Sequence, residues 1–387
     1  MNIPYEELFD SSVTPNQDKW TQNALAGLPT CKGVLLFIDA SGNPIQLLQA
    51  ANLRKTAQAR QLHDETGPAV RKKTDVSDLT AVIYYLCCYN NFLSHAAYTQ
   101  LAHTIFGKDS VNWIQLPKVS LAAIDTDAFL PFFYLSETPF AKNTCKQFGL
   151  FPSRKAAAEF CDILNTVFVL CRNPILLKTG KESSCPYLQM RTCPGPCLHT
   201  ELRSGYNSIV KQATEATSGA IENARQQLLR QMQQHSERMN FERAQDSKRK
   251  LGLLDKLTRS DFQWVLDLNE FCLLHIDIGP KEKEQKTPRK IRQLMWFKIT
   301  PQEICRLGNF SPESEKDVKN FIETNWTNPP TLLNIKNRKE LLSLISLQLF
   351  RSNRSGIWID CTQGIWLEKI FSELNRCFDL KINPNSK

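Results

Sequence analysis

The sequence predicts a multidomain α+β protein, because strand-like and helix-like segments alternate along its 387 residues. A strand, a turn and a returning strand are expected at 32–48, and a run of good helix formers follows at 50–62. No proline lies between Pro196 and Pro280, and helical periodicity runs through much of that stretch. Strand-like runs return after Phe262. Hydrophobic residues make up 42% of the chain, which excludes disorder throughout.

The first part of the chain predicts a small α/β or α+β domain. The apolar run 33–38 reads as a strand, and Gly42 and Pro44 favour a turn into its returning partner. Residues 77–105 are expected to be helical, with a buried segment from Leu79 to Cys88. The other local predictions are strands at 112–117 and 119–124 and a helix at 155–170.

The proline-free stretch predicts a helical hairpin. One apolar stripe of its first helix contains Leu228, Met232, His235 and Met239. Asn240 is expected to cap a second helix, so that the two helices pack antiparallel. Such a hairpin cannot bury its stripe alone and needs a partner or a neighbouring domain. One long solvated helix is the alternative.

The cysteines fall into two groups. Thirteen is an odd number, and no secretory signal is visible, so a disulfide framework is not expected. Four thiols lie within 27 positions, and a Pro-Gly-Pro turn separates the last two: Cys171, Cys185, Cys193 and Cys197. If they converge, they suit a tetrahedral zinc or an iron–sulfur cluster. A reduced loop without metal is the alternative, and His199 could replace one ligand.

Charge and hydropathy narrow the classes of partner. Lys and Arg exceed Asp and Glu by 48 − 39 = 9, which permits a polyanionic partner. No apolar run reaches 18 residues, and the N-terminus is acidic without an apolar segment, so we expect a cytoplasmic protein without a membrane span. Neither a P-loop nor a GxGxxG motif is present, so the sequence gives no support for nucleotide binding.

Three features in this order resemble the bacterial UvrC family, the nuclease subunit of nucleotide-excision repair. Residues 185–197 are similar to its cysteine-rich segment, with 148–153 similar to the element before it, and 232–244 resemble its UVR hairpin. The resemblance implies that the four cysteines hold a 4Fe-4S cluster, with zinc as the alternative. It also implies that the hairpin binds a UvrB-like protein, through Met232, Met239, Phe241, Glu242 and Ala244.

Residues 33–54 resemble the family's GIY-YIG nuclease hairpin without its reactive groups. That chemistry uses tyrosines, an arginine at the phosphate and a glutamate that binds a divalent metal. Here Leu35 stands at the first tyrosine, 46–48 (Gln-Leu-Leu) at the second motif, Gln49 at the following lysine and Tyr89 at the glutamate. Leucine cannot transfer a proton and tyrosine is a poor magnesium ligand, so we expect no GIY-YIG cleavage.

The resemblance divides the chain into a degenerate GIY-YIG-like domain at 1–125, a cysteine-rich metal- or cluster-binding region at 126–204, a UVR-like hairpin at 205–260 and a small C-terminal α+β domain at 261–387. In the last of these, Asp360 offers one carboxylate, which is not the acidic set of the family's second nuclease domain.

The function expected from these features is that of a nuclease-inactive DNA-repair accessory protein that binds a cluster, DNA and a UvrB-like partner. The candidate phosphate contacts are Arg54, Lys55, Arg60, Arg191, Arg289, Lys290 and Arg292. The last three belong to a basic stretch, 281–292, that is expected to be a loop. One alternative is an active UvrC-type incision subunit with displaced residues, drawn from Tyr84, Tyr85, Tyr89, Glu65 and Asp75. The other is a zinc-stabilised interaction protein without DNA binding.

Overall fold

The computed structural model describes residues 4–16, 19–61, 76–140, 144–217, 221–283, 290–333, 335, 337–352 and 354–378. The predicted α+β class is confirmed. The chain divides into two compact units, the first made of Met1–Leu116, Cys272–Leu344 and Arg351–Lys387, the second of Pro117–Phe271 and Ile345–Phe350. The four predicted segments stay predictions, and this division differs from them by joining both ends of the chain in one unit.

The strands of the described residues are β1 (Ser11–Val13), β2 (Gly33–Ile38), β3 (Pro44–Ala50), β4 (Val82–Cys87), β5 (Leu121–Asp125), β6 (Phe133–Ser136), β7 (Cys145–Gly149), β8 (Leu266–Asp267), β9 (Leu273–Lys283), β10 (Lys290–Ile299), β11 (Ile304–Asn309), β12 (Thr331–Leu333) and β13 (Ile357–Asp360).

Their α-helices are α1 (Gln22–Leu25), α2 (Leu53–Gln61), α3 (Asn91–Phe106), α4 (Arg154–Val167), α5 (Pro174–Thr179), α6 (Pro186–Gln189), α7 (Arg203–Glu215), α8 (Ile221–Glu237), α9 (Phe241–Lys256), α10 (Glu315–Asn325), α11 (Arg338–Leu349) and α12 (Leu367–Phe378). None of these helices has both the length and the apolar character that crossing a bilayer requires.

The first sheet of the first unit is antiparallel and has the order β1-β4-β2-β3. The predicted strand–turn–strand is confirmed, with Gly42 at positive φ in the turn. Strand β2 is buried along its whole length, because it lies between β3 and β4 and one of its faces packs in a core with Leu53 and Ala57 of α2. Its core includes Leu35, Phe37 and Ile83.

One local prediction in this sheet is wrong. Residues 77–105 were expected to be helical throughout, but 82–87 form strand β4 and the helix α3 begins only at Asn91. The run Val-Ile-Tyr-Tyr is β-branched and aromatic, which favours a strand. The Asn90 side chain then accepts a hydrogen bond from the Leu93 N–H at 2.8 Å and so caps the helix. Residues 112–117, expected as a strand, lie outside the described strands.

The second sheet of this unit has the order β12-β11-β10-β9-β13 and is antiparallel throughout. Helix α3 packs against it through Phe92, whose ring lies 4.9 Å from that of His275 and 5.2 Å from that of Phe297. The basic stretch 281–292 was expected to be a loop, but the strands extend to Lys283 and restart at Lys290. We call the paired strands β9 and β10 the ribbon. It is defined by pairing between two strands, which local composition does not show.

The second unit combines the sheet β6-β5-β7-β8 with helices α4 and α7 to α9. The predicted hairpin is confirmed as α8 and α9, which rejects the single long helix. Arg225 near its start and Asp255 near its end form an ion pair at 3.2 Å, as an antiparallel arrangement requires. Asn240 occupies the predicted cap position of α9, but its side chain makes no capping hydrogen bond.

Candidate functional site

The four cysteines of the predicted cluster site are placed by short turns of the second unit. Cys171 follows α4, and Cys185 precedes α6 directly. Cys193 and Cys197 flank the Pro-Gly-Pro turn, where Gly195 has φ +78°. A Cβ atom on Gly195 would lie 2.8 Å from the Leu188 side chain, so the turn needs glycine for both its backbone angle and its packing.

Backbone hydrogen bonds hold this segment in a compact form. The Cys185 carbonyl accepts from the N–H groups of Leu188 and Gln189, both at 3.1 Å. The Tyr187 carbonyl accepts from the Thr192 and Cys193 N–H groups, both at 3.0 Å. The turns thus return the chain toward its starting point.

Tyr206 anchors the first cysteine to the core of the second unit. Its hydroxyl donates a hydrogen bond to the Pro131 carbonyl at 2.6 Å and accepts one from the Cys171 N–H at 3.0 Å. Tyr206 is itself buried. The position of the Cys171 backbone is therefore set by the core and does not depend on the cysteine side chains.

All four cysteines line one small cavity of about 30 Å³. The rest of its lining is mainly apolar and includes Leu130, Leu170, Leu176, Leu177, Tyr187 and Pro196. Burial raises the pKa of the Cys171 thiol, and the three other cysteines add to the rise. Burial also raises the pKa of the Cys197 thiol. Four soft donors around a largely apolar cavity fit a positively charged, sulfur-ligated centre, which would favour their thiolate forms.

The donors are not arranged for a single ion. Within the described residues, no group of three or more His, Cys, Asp or Glu side chains is placed to hold one metal ion. A tetrahedral zinc would need sulfurs about 3.8 Å apart, given Zn–S bonds of about 2.3 Å. His199, considered as a substitute ligand, does not line the cavity, and its Nδ1 atom lies 3.5 Å from Glu201 Oε1.

The tip of the helical hairpin presents two large apolar side chains to solvent. Met239 is 78% exposed and Phe241 is 67% exposed. Met239 has φ +56° at the turn, where the Asn240 N–H donates to the His235 carbonyl at 2.8 Å. Met232, predicted with them as a partner contact, instead packs against the core of the second unit. Glu242 is exposed and Ala244 half-buried.

A larger pocket of about 650 Å³ lies in the first unit. Its lining contains four cations and no carboxylate: Lys32, Arg54, Lys281 and Arg292, with Pro29, Thr30, Cys31, Ala51, Cys87, Tyr89, Ile278 and Gly279. We call it the basic pocket. Two of its residues, Arg54 and Tyr89, are positions that the nuclease resemblance singled out, and the structure brings them together.

Two of the pocket cations are held by neighbours. The Arg54 guanidinium donates to the Leu28 carbonyl at 2.8 Å through Nε and to the Ala26 carbonyl at 2.7 Å through Nη2. The Lys32 ammonium donates to Asn91 Oδ1 at 2.8 Å. All these partners are neutral, so both residues keep their charge uncompensated by these contacts.

Tyr89 occupies the pocket in an unusual backbone conformation, with φ +65°. Burial, together with the neighbouring Cys87 and Cys31, raises the pKa of Tyr89 to about 12. At neutral pH it is therefore an uncharged phenol, which donates a hydrogen bond and offers a ring but holds no divalent metal.

The other positions of the nuclease resemblance lie elsewhere. Leu35 and Leu47 are buried, and Leu48 and Gln49 line a separate groove with Tyr98 and Trp113. Gln46 has a buried Oε1 atom without a hydrogen-bond partner among the described residues. Gly33 does match, yet a Cβ there would lie 2.0 Å from the Leu86 carbonyl oxygen, so sheet packing alone explains this glycine.

The displaced tyrosines of the alternative enzyme do not gather at one place. Tyr84 donates a hydrogen bond to Glu6 at 2.6 Å, which with burial raises the pKa of Tyr84 to about 12. Tyr85 does not line the basic pocket, in contrast to Tyr89. Glu65 and Asp75 lie outside the described residues.

The remaining predicted DNA contacts are dispersed. Lys55 and Arg191 are exposed and Arg60 is half-buried. Arg289 lies outside the described residues, and the Lys290 backbone pairs with that of Lys283. The sequence does not single out Lys32, because it is an isolated cation just before strand β2 and no basic run marks it. Lys281 belonged to the basic stretch already noted, and strand alternation would have placed it opposite Arg292.

Comparison with known proteins identifies the second unit. Residues 122–216 match the family model described as UvrC/Cho excinuclease, middle domain. This range contains all four cysteines of the cluster site and the anchoring Tyr206. No solved structure matches the chain significantly.

Curated relatives extend the similarity beyond that domain. The UvrABC system protein C of Caldicellulosiruptor saccharolyticus is 24% identical over 61% of this chain and 39% of its own length. That of Christiangramia forsetii is 25% identical over 60% and 39%. That of Chlamydia abortus is 23% identical over 83% and 52%. The chain thus spans about two fifths to one half of the length of these relatives. With the middle-domain match, these relatives support membership of the UvrC family, at low identity and partial coverage.

Proposed function

We propose that this chain is a UvrC-like accessory protein of DNA repair that binds DNA and a UvrB-like partner without cutting the DNA. The observation that carries the proposal is the basic pocket, in which Arg54 and Tyr89 meet two further lysines and an arginine but no carboxylate. The chain spans less than half of its first relatives, so repair, DNA and partner are all part of this proposal.

The chemistry of the pocket supports the proposed absence of cleavage. Hydrolysis of a phosphodiester needs a group that takes the proton of the attacking water and a site for the divalent metal. The pocket lining supplies neither, because its titratable side chains are cations, two thiols and a tyrosine whose pKa is raised. Buried Leu35, at the first tyrosine position, cannot take part in proton transfer.

The family resemblance favours a 4Fe-4S cluster over zinc at the four cysteines. A cluster accepts sulfurs that are farther apart than a single tetrahedral ion allows, and among the described residues no three ligands are placed to hold one ion. Cys171, Cys185, Cys193 and Cys197 would hold it, and such a group supplies bonds that order a loop. This segment depends on that support, since its helices α5 and α6 contain no buried residue.

The hairpin tip supports the proposed partner. Exposed Met239 and Phe241 form a small apolar surface beside exposed polar residues, as expected of a contact that is buried only on binding. Met232 is half-buried against the core of the second unit, so it offers a partner less surface than the tip does.

The test is an incision assay on lesion-containing plasmid, with purified protein, a UvrB-type partner and magnesium or manganese. We expect the plasmid to stay supercoiled, while a commercial nicking endonuclease relaxes the same substrate. Nicking that is lost in Arg54→Ala but kept in the exposed control Lys339→Ala would refute the proposal and favour an enzyme with displaced residues.

A further inference from the structure

The basic pocket concentrates positive charge in a concave site of the first unit. Its volume of about 650 Å³ lies within the range of sites that take organic ligands and is far larger than one inorganic ion needs. Lys32 and Arg54 come from the first sheet and its helix, whereas Lys281 and Arg292 come from the ribbon of β9 and β10. Two separate parts of the sequence therefore build one cationic surface.

The ribbon places like charges opposite each other. Lys281 pairs with Arg292 in the antiparallel register. Lys281 and Arg292 are exposed, and neither has an ion-pair partner among the described residues. Like charges directly opposite each other weaken a sheet. An anion bound between them would reverse this effect, because it would neutralise both.

The nearest acid of the ribbon does not serve this purpose. Glu282 pairs with Ile291 and thus points to the other face, where it accepts a hydrogen bond from the Asn309 side chain at 3.2 Å. Asp277, earlier in β9, is buried and accepts a hydrogen bond from the Ser355 hydroxyl at 2.8 Å.

Two acids do lie near the pocket: Lys32 acts electrostatically on Asp277, and Asp10 Oδ2 accepts a hydrogen bond from the Cys87 N–H at 2.7 Å. Lys281 and Arg292 make no ion pair among the described residues, so these two cations remain available for a ligand.

We propose that the basic pocket binds the sugar–phosphate backbone of a single nucleic-acid strand. Lysines and arginines in a lining without carboxylates favour phosphates, and arginine can bind one phosphate with two N–H groups. The half-buried Tyr89 ring lies in the same pocket and suits stacking against a base. The pocket takes about one or two nucleotides, and a duplex is too wide to enter it.

This inference rests on the proposed function for its choice of nucleic acid among phosphate ligands. It goes further by naming the pocket, the form of nucleic acid and one residue, Lys32, that no sequence pattern indicated. Contacts to phosphates carry no base specificity, so binding should be insensitive to sequence and sensitive to salt.

The test is fluorescence anisotropy with the full chain and a labelled single strand of about 15 thymidines. The pocket variant is the double substitution Lys281→Gln and Arg292→Gln. The matched control is Lys316→Gln and Lys339→Gln, which removes two exposed cations of the same unit outside the pocket. Circular dichroism melting checks that both variants fold.

We expect the pocket variant to bind at least about tenfold more weakly than the wild type and the control to bind within about twofold. In the pocket variant, the plot of log association constant against log salt concentration should be less steep by about 1.4, since it loses two phosphate contacts and each contributes about 0.7. An unlabelled single strand should compete better than the matched duplex, and inorganic phosphate or thymidine monophosphate should compete weakly.

Each contrary result has a distinct meaning. Equal binding by the wild type and the pocket variant overturns the pocket but leaves the proposed DNA binding intact. No binding by the wild type overturns both. If thymidine monophosphate competes as strongly as the strand, the pocket binds a small phosphate ligand and the proposal of a strand is overturned. A preference for the duplex overturns the single-strand assignment alone.

Discussion

Lys281 of strand β9 lies directly opposite Arg292 of strand β10, and both line the basic pocket. A protein that needed only a stable ribbon would gain from an acid at one of these positions, because opposite charges across a sheet attract. The pair therefore indicates that the ribbon is adapted to an anion.

The first prediction concerns the stability of this ribbon. Lys281→Gln removes the repulsion and should raise the free energy of unfolding by about 0.2–1 kcal/mol at low salt. The gain should vanish near 1 M salt, where the Debye length is about 3 Å. Urea denaturation of the variant beside Lys316→Gln measures it. Lower stability at low salt would show that Lys281 supports the ribbon by direct contacts.

The second prediction concerns the four cysteines. Anaerobically purified wild-type protein should be brown, absorb near about 400 nm and contain about four iron atoms per chain. Cys193→Ser with Cys197→Ser should lose the colour and nearly all the iron, whereas Cys377→Ser, at an exposed thiol of the other unit, should keep both. Zinc in place of iron would select the alternative centre, and neither metal would leave a reduced loop.

The third prediction concerns acid stability and His275. The ring is buried, stacks on Trp358 with centroids 4.0 Å apart, and its Nδ1–H donates to the Ile357 carbonyl at 2.9 Å. Burial lowers the pKa of His275 to about 3. The unfolded chain therefore binds a proton below about pH 6.5 that the folded chain refuses, so stability falls as the pH falls through that range.

Between about pH 7.5 and pH 5 this group alone should remove about 2 kcal/mol of unfolding free energy. Asp277 acts in the opposite direction, because burial raises its pKa and the folded carboxyl takes up a proton before the unfolded one. His275→Leu should remove the loss due to the histidine, and His235→Gln should not. Urea denaturation at both pH values measures how much unfolding free energy each protein loses between them. If His275→Leu loses as much unfolding free energy between these pH values as the wild type, the loss is not due to His275.

The fourth prediction concerns the hairpin tip. Met239→Ala with Phe241→Ala should weaken binding to a UvrB-type hairpin at least about tenfold, since exposed apolar anchors carry most of such a contact. Both side chains are mainly exposed, so the melting temperature should stay within about one degree of the wild type. Isothermal calorimetry measures the affinity, and Arg230→Ala, at an exposed residue of α8, is the control. Full affinity in the tip variant would place the contact elsewhere.

Local patterns predicted much of the fold because they depend on neighbours in sequence. The turn at Gly42 fixed the pairing of β2 with β3, and the stripe with Leu228 revealed the hairpin. The run 82–87 was predicted wrongly because a dense apolar segment fits a buried strand or a buried helix equally well. Only pairing with β1 and β2 decides between them.

The sequence indicated one of the two candidate sites, the four cysteines, and did not indicate the basic pocket. The spacing of the four cysteines left open whether they converge; the structure places all four around one cavity, and the presence and identity of a bound centre stay predictions. The basic pocket escaped notice because Arg54 and Arg292 are more than 200 positions apart in the sequence. Only the grouping of both chain ends in one unit brings them together.

The central claim, that the chain holds DNA without cutting it, is tested most directly on one labelled strand. An end-labelled duplex with a single lesion and a short unpaired bubble is incubated with the protein, a UvrB-type partner and manganese. Half of each sample is run on a native gel and half on a denaturing gel. We predict a retarded complex whose labelled strand is full length, and loss of the complex in Lys281→Gln with Arg292→Gln. A shortened strand that disappears with Arg54→Ala would contradict the account.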